Sequence, residues 1–410
     1  MKNKIISLFI IAGVVLGTML VGIMSRSIPQ LQAAVNDSRV DVFVNFDRMP
    51  GQQDEALVRA FGGRIKYTYS ITPSIAANIP KAAINGLLKH PHVTAVELDG
   101  EVYAMDQELD NSWGVKRINA GTVHASGNTG TAIKIGIIDS GINYTHPDLD
   151  GVYSGGYDFV QNDPDPMDVY GHGTHVAGIT CAENNNFGVV GVAPSCALYS
   201  LRVLNDDGVG YWSDIVAAMD WAVLNGMRVV NLSLGKSTDP GIVVQTAFDN
   251  AERAGIVIVA AAGNRGSSSG RGDNISYPAK FTSVIAVGAT DSGDKRASFS
   301  STGSDLELVA PGVSVLSTWN DSTSLSGTQP LCVDGVCYYK YGTGTSMAAP
   351  HVAGVAALLV AKGTTDTNGN GRINDEVRQI MKSTAQDLGK TGSDPQYGYG
   401  LVNAAAAVGF

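Results

Sequence analysis

Ser346 lies in GTSMAAPHVAG, residues 344–354, between a glycine-containing turn and an apolar, alanine-rich run that reads as a helix. A serine there has its hydroxyl at a helix N-terminus, where backbone N–H groups and the helix dipole stabilise negative charge. Alone, such a serine is most often an N-cap. Two stretches far upstream alter that reading. In IKIGIIDSGINYTHPDL, residues 133–149, an apolar run ends on Asp139. A buried parallel strand has this composition, and open α/β sheets bind ligands beyond the carboxyl ends of their strands. In YGHGTHVAGI, residues 170–179, His172 stands between two glycines ahead of a second helical pattern. The glycines are expected to leave room beside the ring for a substrate backbone. A carboxylate, an imidazole and a hydroxyl are the orienting group, general base and nucleophile of serine acyl transfer. His175 makes a histidine pair conceivable as a metal site, but no HExxH pattern accompanies it.

The order Asp139, His172, Ser346 resembles that of the subtilisin-like serine proteases, the subtilases, and differs from chymotrypsin-like enzymes and α/β-hydrolases. The resemblance runs from about Trp113 to the C-terminus. It includes a fourth motif, IVIVAAAGNRG at 256–266, and implies that Asn264 donates to the oxyanion together with the Ser346 N–H. It implies that Ser233, Leu234 and Gly235 pair with extended substrate backbone, a strand-addition mode that tolerates many sequences. It also places Trp212 in the wall of a deeper apolar subsite, with Ala262, Gly263 and Ser276 shaping the main pocket. None of these is a carboxylate, so broad cleavage after apolar or aromatic residues is expected. The expected function is a calcium-stabilised serine endopeptidase acting on proteins or peptides. The alternative is acyl transfer or specific processing on the same site. A non-catalytic relative would lack a triad residue, and none is missing.

The same resemblance makes ENNNFGVVG, residues 183–191, a calcium loop. Asp148 and Asn185 would supply side-chain oxygens, and Glu183, Phe187 and Val189 backbone carbonyls. Gln107 or Asp110 would add a ligand from the N-terminal side. A second calcium candidate is read from the residues themselves. DTNGNGRINDEV, 366–377, has Asp366, Asn368 and Asn370 at positions 1, 3 and 5 of an EF-hand-like loop and glycine at 6. Position 12 is Val377, with Glu376 one residue early.

The 410 residues suffice for one large core plus a small domain, and 44% hydrophobic with 16% charged residues indicates a globular chain. A net charge of −10 without a basic run argues against nucleic-acid binding. Short apolar runs alternate with helical patterns after residue 113, which predicts a largely parallel α/β sheet flanked by helices. SDIVAAMDWAVLNG is read as an amphipathic helix burying Ile215, Met219, Ala222 and Val223. Residues 39–104 instead read βαββαβ, a ferredoxin-like unit. The resemblance makes 34–105 a propeptide that assists folding and inhibits the enzyme, with self-cleavage between Ala104 and Glu108. The peptidase domain would span 106–410, and a monomer is expected. Lys2 and Lys4 precede an uncharged segment, Ile5–Met24, read as a secretory signal within residues 1–33. A retained membrane anchor is the alternative. Cys181, Cys196, Cys332 and Cys337 allow three pairings in an exported chain. Local pairing, Cys181–Cys196 and Cys332–Cys337, is expected.

Overall fold

The computed structural model describes residues 39–100, 107–320 and 331–410. The chain divides into two units, at Ala104 and Met105. The expected signal segment lies outside the described residues, and so do residues 101–106, where most of the expected cleavage region between Ala104 and Glu108 falls.

The first unit runs β1 (Arg39–Phe46), α1 (Gln52–Ala60), β2 (Arg64–Thr68), β3 (Ser74–Pro80), α2 (Ile84–Leu87) and β4 (Val93–Leu98). Its sheet has the order β2-β3-β1-β4, with every pair antiparallel. Val42, Val44 and Phe46 alternate along β1 and are buried, as a strand with one covered face requires. The second helix of the βαββαβ order is short, a 3₁₀ turn at Lys81–Ala83 followed by α2. Asn85 and Gly86 are poor helix formers, and Pro91 disfavours helical backbone before it.

The second unit opens with three short helices, α3 (Gln107–Asn111), α4 (Trp113–Arg117) and α5 (Ala120–Ala125). Seven strands follow in one sheet: β5 (Lys134–Asp139), β6 (Tyr153–Asp158), β7 (Ala197–Arg202), β8 (Val229–Leu232), β9 (Val257–Ala261), β10 (Ile285–Thr290) and β11 (Leu306–Pro311). Every neighbouring pair is parallel, in the order β11-β10-β9-β8-β5-β7-β6. The expected α/β fold with a parallel sheet is therefore present. Both faces of the sheet are covered. Val257, Val259 and Ala261 of β9 join one buried apolar cluster, while Ile258 and Ala260 join the other. Strands buried on both sides read as continuous apolar runs, which is why these were visible in the sequence.

The connecting helices are α6 (His172–Cys181), α7 (Trp212–Leu224), α8 (Ile242–Arg253), α9 (Thr345–Lys362), α10 (Asn374–Thr384) and α11 (Ala404–Val408). Helix α9 is almost wholly buried. Helix α7 buries Ile215, Ala218, Met219 and Ala222. The expected Val223 is instead exposed, because Ala218 completes the stripe one turn from Ala222.

A smaller antiparallel sheet pairs β12 (Val315–Thr318) and β13 (Leu331–Val333) with β14 (Val336–Gly342). Asp334 and Gly335 form the two-residue turn between β13 and β14, with φ of 51° and 87°. That turn matches the right-handed twist of a hairpin, and Asp-Gly suits it. Cys332–Cys337 and Cys181–Cys196 are both disulfide-bonded.

Candidate active site

Strands β5 and β8 are neighbours, yet the chain leaves β5 toward β7 and returns on the other side as β8. The crevice at such a switch point, beyond the carboxyl ends of the strands, is where an open α/β sheet binds ligands. Asp139 ends β5, and Ser233 directly follows β8. His172 begins α6, and Ser346 lies in the first turn of α9.

Asp139 is fully buried, and its Oδ1 accepts from His172 Nδ1 at 2.7 Å and from the Ser140 N–H at 2.8 Å. Burial by itself would lower the His172 pKa. The charge and hydrogen bond of Asp139, joined by the charge of Asp168, outweigh it and hold the ring above its ordinary value. Asp168 is itself buried, which pushes its carboxyl up to about 6. It accepts from Ser140 Oγ, the Gly171 N–H, and both the N–H and hydroxyl of Thr174. This carboxylate therefore ties the start of α6 to the end of β5.

The glycines around His172 permit close packing of α6. A Cβ on Gly171 would lie 2.5 Å from the Trp319 ring, and one on Gly173 would lie 2.1 Å from the Gly141 carbonyl oxygen. His175 is structural: its Nε2 bonds the carbonyls of Val315 and Lys340, and burial lowers its pKa to about 3.

Ser346 is half-buried, and its hydroxyl donates to the Ser233 carbonyl oxygen at 3.1 Å. Among the described residues no hydrogen bond joins it to His172. Catalytic hydrogen bonds are often loose without substrate and tighten on binding. Asn264 is held by its amide oxygen, which accepts from the Thr345 N–H at 2.9 Å and from Thr345 Oγ1 at 3.0 Å. A backbone N–H can only donate, so the atom facing it is the oxygen and the amide orientation is determined. Nδ2 bonds no described residue and is left as a donor beside the first turn of α9. Thr345 is a residue that sequence reading missed.

A cleft of about 440 Å³ runs from the triad along the β8 side. His172, Trp212, Ser233, Leu234 and Gly235 line it. Trp212 also packs on the apolar cluster under α7, so it serves as both wall and core. Ala262, Gly263 and Ser276 form an adjoining group: Ser276 N–H donates to the Ala262 carbonyl, and Gly263 N–H to Thr345 Oγ1. A Cβ on Gly263, where φ is +106°, would lie 2.5 Å from Ser276 Oγ.

Residues 130–400 match the subtilase family of peptidases. The chain belongs to the subtilase family. Subtilisin E of Bacillus subtilis strain 168 is 41% identical over 360 residues, covering 88% of this chain and 87% of that protein. M-protease of Shouchella clausii strain KSM-K16 is 42% identical over 341 residues, 83% of this chain and 80% of the other. Subtilisin of Bacillus pumilus is 46% identical over 296 residues, 72% of this chain and 98% of the other. This subtilase is accordingly a serine endopeptidase.

Calcium is implied by membership in this family, and loop 183–191 of this subtilase has a donor set that fits it. Asp148 is fully buried without a basic partner among the described residues. Burial pushes its carboxyl up to about 7, and the nearby charge of Glu108 raises it further. Its Oδ2 accepts from the Val189 N–H and the Tyr339 hydroxyl, and its Oδ1 faces the Asn185 amide at 3.4 Å. A Cβ on Gly188 would lie 2.5 Å from Asp148 Oδ2. Among the described residues, no hydrogen bond reaches the carbonyls of Glu183, Phe187 or Val189. No three His, Cys, Asp or Glu side chains gather as a metal cluster there, so a hard cation would rest on mixed carboxylate, amide and carbonyl oxygens.

The N-terminal contribution differs from expectation. Gln107 donates to Asp334 and Asp110 pairs with Lys116, whereas Glu108 is the group on the loop. Glu108 Oε1 accepts from the Asn185 and Phe187 N–H groups. Its place in α3 turns it inward, and no local pattern marked it.

Proposed function

We propose that Ser346 is the nucleophile, His172 its general base, and Asp139 the group that orients the ring and stabilises the imidazolium. The observation that carries this reading is the 2.7 Å bond from His172 Nδ1 to the buried Asp139 carboxylate. It leaves Nε2 as the proton-accepting nitrogen. In acylation the Ser346 oxygen bonds the substrate carbonyl carbon, and its proton passes to His172 Nε2. The carbonyl oxygen becomes an oxyanion, held by Asn264 Nδ2 and the Ser346 N–H. Collapse breaks the C–N bond, and His172 returns the proton to the departing amine. Water then repeats the sequence to release the acid and restore Ser346. The substrate backbone lies along Ser233, Leu234 and Gly235, with Trp212 at the deeper subsite and Ala262, Gly263 and Ser276 at the main pocket. Cleavage is broad and favours apolar or aromatic residues before the scissile bond.

Asp148, Asn185, Glu108 and the carbonyls of Glu183, Phe187 and Val189 hold a structural calcium ion that stiffens the loop. The enzyme acts as a monomer. The enzyme is secreted from a signal-bearing precursor, and two disulfides suit an oxidising exterior. Residues 34–105 are the inhibitory propeptide, removed by the enzyme itself. The break between units at Ala104 and Met105, and a relative spanned almost wholly by 72% of this chain, support that division.

Expression of Ser346→Ala beside the parent chain tests the whole reading. The parent releases a mature form beginning near Met105 and hydrolyses peptide substrates; the variant stays full length and inactive. Processing of the isolated variant would overturn self-cleavage, and residual peptidase activity would overturn the role of Ser346. Products that are ligated and not hydrolysed would show acyl transfer instead.

A further inference from the structure

Loop 366–376 enters α10 and lies apart from the cleft. Asp366 uses Oδ1 to accept from the Gly369 N–H and Oδ2 to accept from the Gly371 N–H, both at 2.7 Å. Asn368 Oδ1 accepts from the Asn370 N–H and Asn370 Oδ1 from the Arg372 N–H. Each of these oxygens keeps a second lone pair. Two carboxylates follow. Asp375 Oδ2 receives the side-chain amides of both Asn368, at 2.5 Å, and Asn370, at 2.8 Å. Glu376 Oε1 receives the Thr367 N–H and hydroxyl and the Asn368 N–H.

The second oxygen of each carboxylate decides the matter. Glu376 is only 9% exposed, yet among the described residues neither its Oε2 nor the buried Oδ1 of Asp375 accepts from any N–H or hydroxyl group, and the two carboxyl groups lie against each other. Leaving charged oxygens desolvated and unpaired is costly. Among the described residues no arginine or lysine relieves them: Arg372 pairs with Glu252, while Arg378 and Lys382 pair with Glu307. Asp366, Asp375 and Glu376 thus fall within eleven residues of sequence, and the Asn368 and Asn370 side chains bridge the loop to Asp375.

We infer that this loop is a second divalent-cation site, selective for calcium. Asp366, Asn368, Asn370 and the Arg372 carbonyl serve as its first positions, and Asp375 with Glu376 supply the closing carboxylates in place of the missing residue at position 12. A pliable loop of mixed neutral and charged oxygens suits calcium better than magnesium, which demands near-octahedral geometry. Bound calcium ties the loop to α10, so its loss loosens the start of that helix without touching the triad. The inference stands on its own residues and does not depend on the site at Asp148.

The test is calcium titration by calorimetry, with thermal unfolding in calcium and in chelator. It uses the full chain carrying Ser346→Ala, then the same chain with Asp366→Asn, Glu376→Gln or Asp148→Asn. Asp366→Asn and Glu376→Gln are expected to remove one binding event or weaken it at least tenfold, and to shrink the calcium-induced rise in melting temperature. Their melting in chelator stays within that of the parent. Asn370→Asp, which adds a charge at position 5, is expected to tighten the same event. Unchanged binding in the first two variants, or in Asn370→Asp, would overturn the inference. So would loss of every binding event on Asp148→Asn alone.

Discussion

Ser233 and Ser346 hold one another twice: the Ser233 hydroxyl donates to the Ser346 carbonyl oxygen at 2.8 Å, and the Ser346 hydroxyl donates to the Ser233 carbonyl oxygen at 3.1 Å. The first bond answers a vacancy inside α9. Pro350 lies four residues after Ser346 and has no N–H to complete the helical ladder. Ser233 supplies the missing donor, and its own oxygen accepts from Asn231 Nδ2 at 2.9 Å. The nucleophile's backbone is thus fastened to the end of β8.

Ser233→Ala should therefore cost stability as well as positioning. A buried carbonyl left without a donor costs about 1–3 kcal/mol. The effect is read as a lower melting temperature in the Ser346→Ala background, where self-digestion is absent. Equal melting of the two proteins would show that another donor reaches the Ser346 carbonyl.

The raised pKa of His172 has a definite sign in activity. The ring serves as a base only when neutral, and the negative charges of Asp139 and Asp168 favour the protonated ring over the opposing effect of burial. The acid limb of kcat/KM is expected above the ordinary histidine value of 6.5, with activity lost as pH falls through it. Asp168→Asn removes one of those charges and moves the limb downward. A limb at or below 6.5 in the parent enzyme would contradict the electrostatic account.

Asn264→Ala should lower kcat by roughly 10²–10³ with little change in KM, a range measured in subtilisin itself. The structure adds a finer expectation. Thr345→Val keeps Asn264 but deletes the hydroxyl that donates to its amide oxygen, and kcat is expected to fall about tenfold through misplacement of one donor. Wild-type turnover in Thr345→Val would show that the backbone N–H alone holds the amide.

Gly188 tests the calcium loop. Its φ is +70°, and a Cβ there would lie 2.5 Å from Asp148 Oδ2 and 2.1 Å from the Tyr339 hydroxyl. A chelator should shorten the half-life of the parent enzyme at elevated temperature. Gly188→Ala should start with a shorter half-life than the parent and respond less to chelator, keeping only the part that loop 366–376 supplies. A full chelator response in that variant would place the protective ion elsewhere.

The residues proposed as catalytic were legible because each sits where an apolar run meets a glycine-containing turn. Asp139, His172, Asn264 and Ser346 all carry that local signature. Their supports do not. Thr345 meets Asn264 across 81 residues, and Glu108 meets Asn185 across 77. Such contacts exist only after the sheet has formed, and no short-range pattern encodes them. The strands were visible one by one, but the adjacency of β5 and β8 was not, since 89 residues lie between Asp139 and Val229 and no repeat links them. The glycines flanking His172 show a subtler limit. Their need for space was evident, but not that Trp319 and the Gly141 carbonyl fill it.

The strand order has a consequence in time. Asp139 and His172 precede Ser346 by 207 and 174 residues, so both are made well before it. Strand β8 must slot beside β5, and α9 must then cover the sheet, before Ser233 and Ser346 can meet. Parallel pairings of such sequence separation form slowly, because long loops close before the contacts repay them. A partly synthesised chain therefore carries the proposed carboxylate and base before it has the proposed nucleophile. Chain order and sheet topology together withhold an assembled triad from the growing chain until α9 has been made and packed.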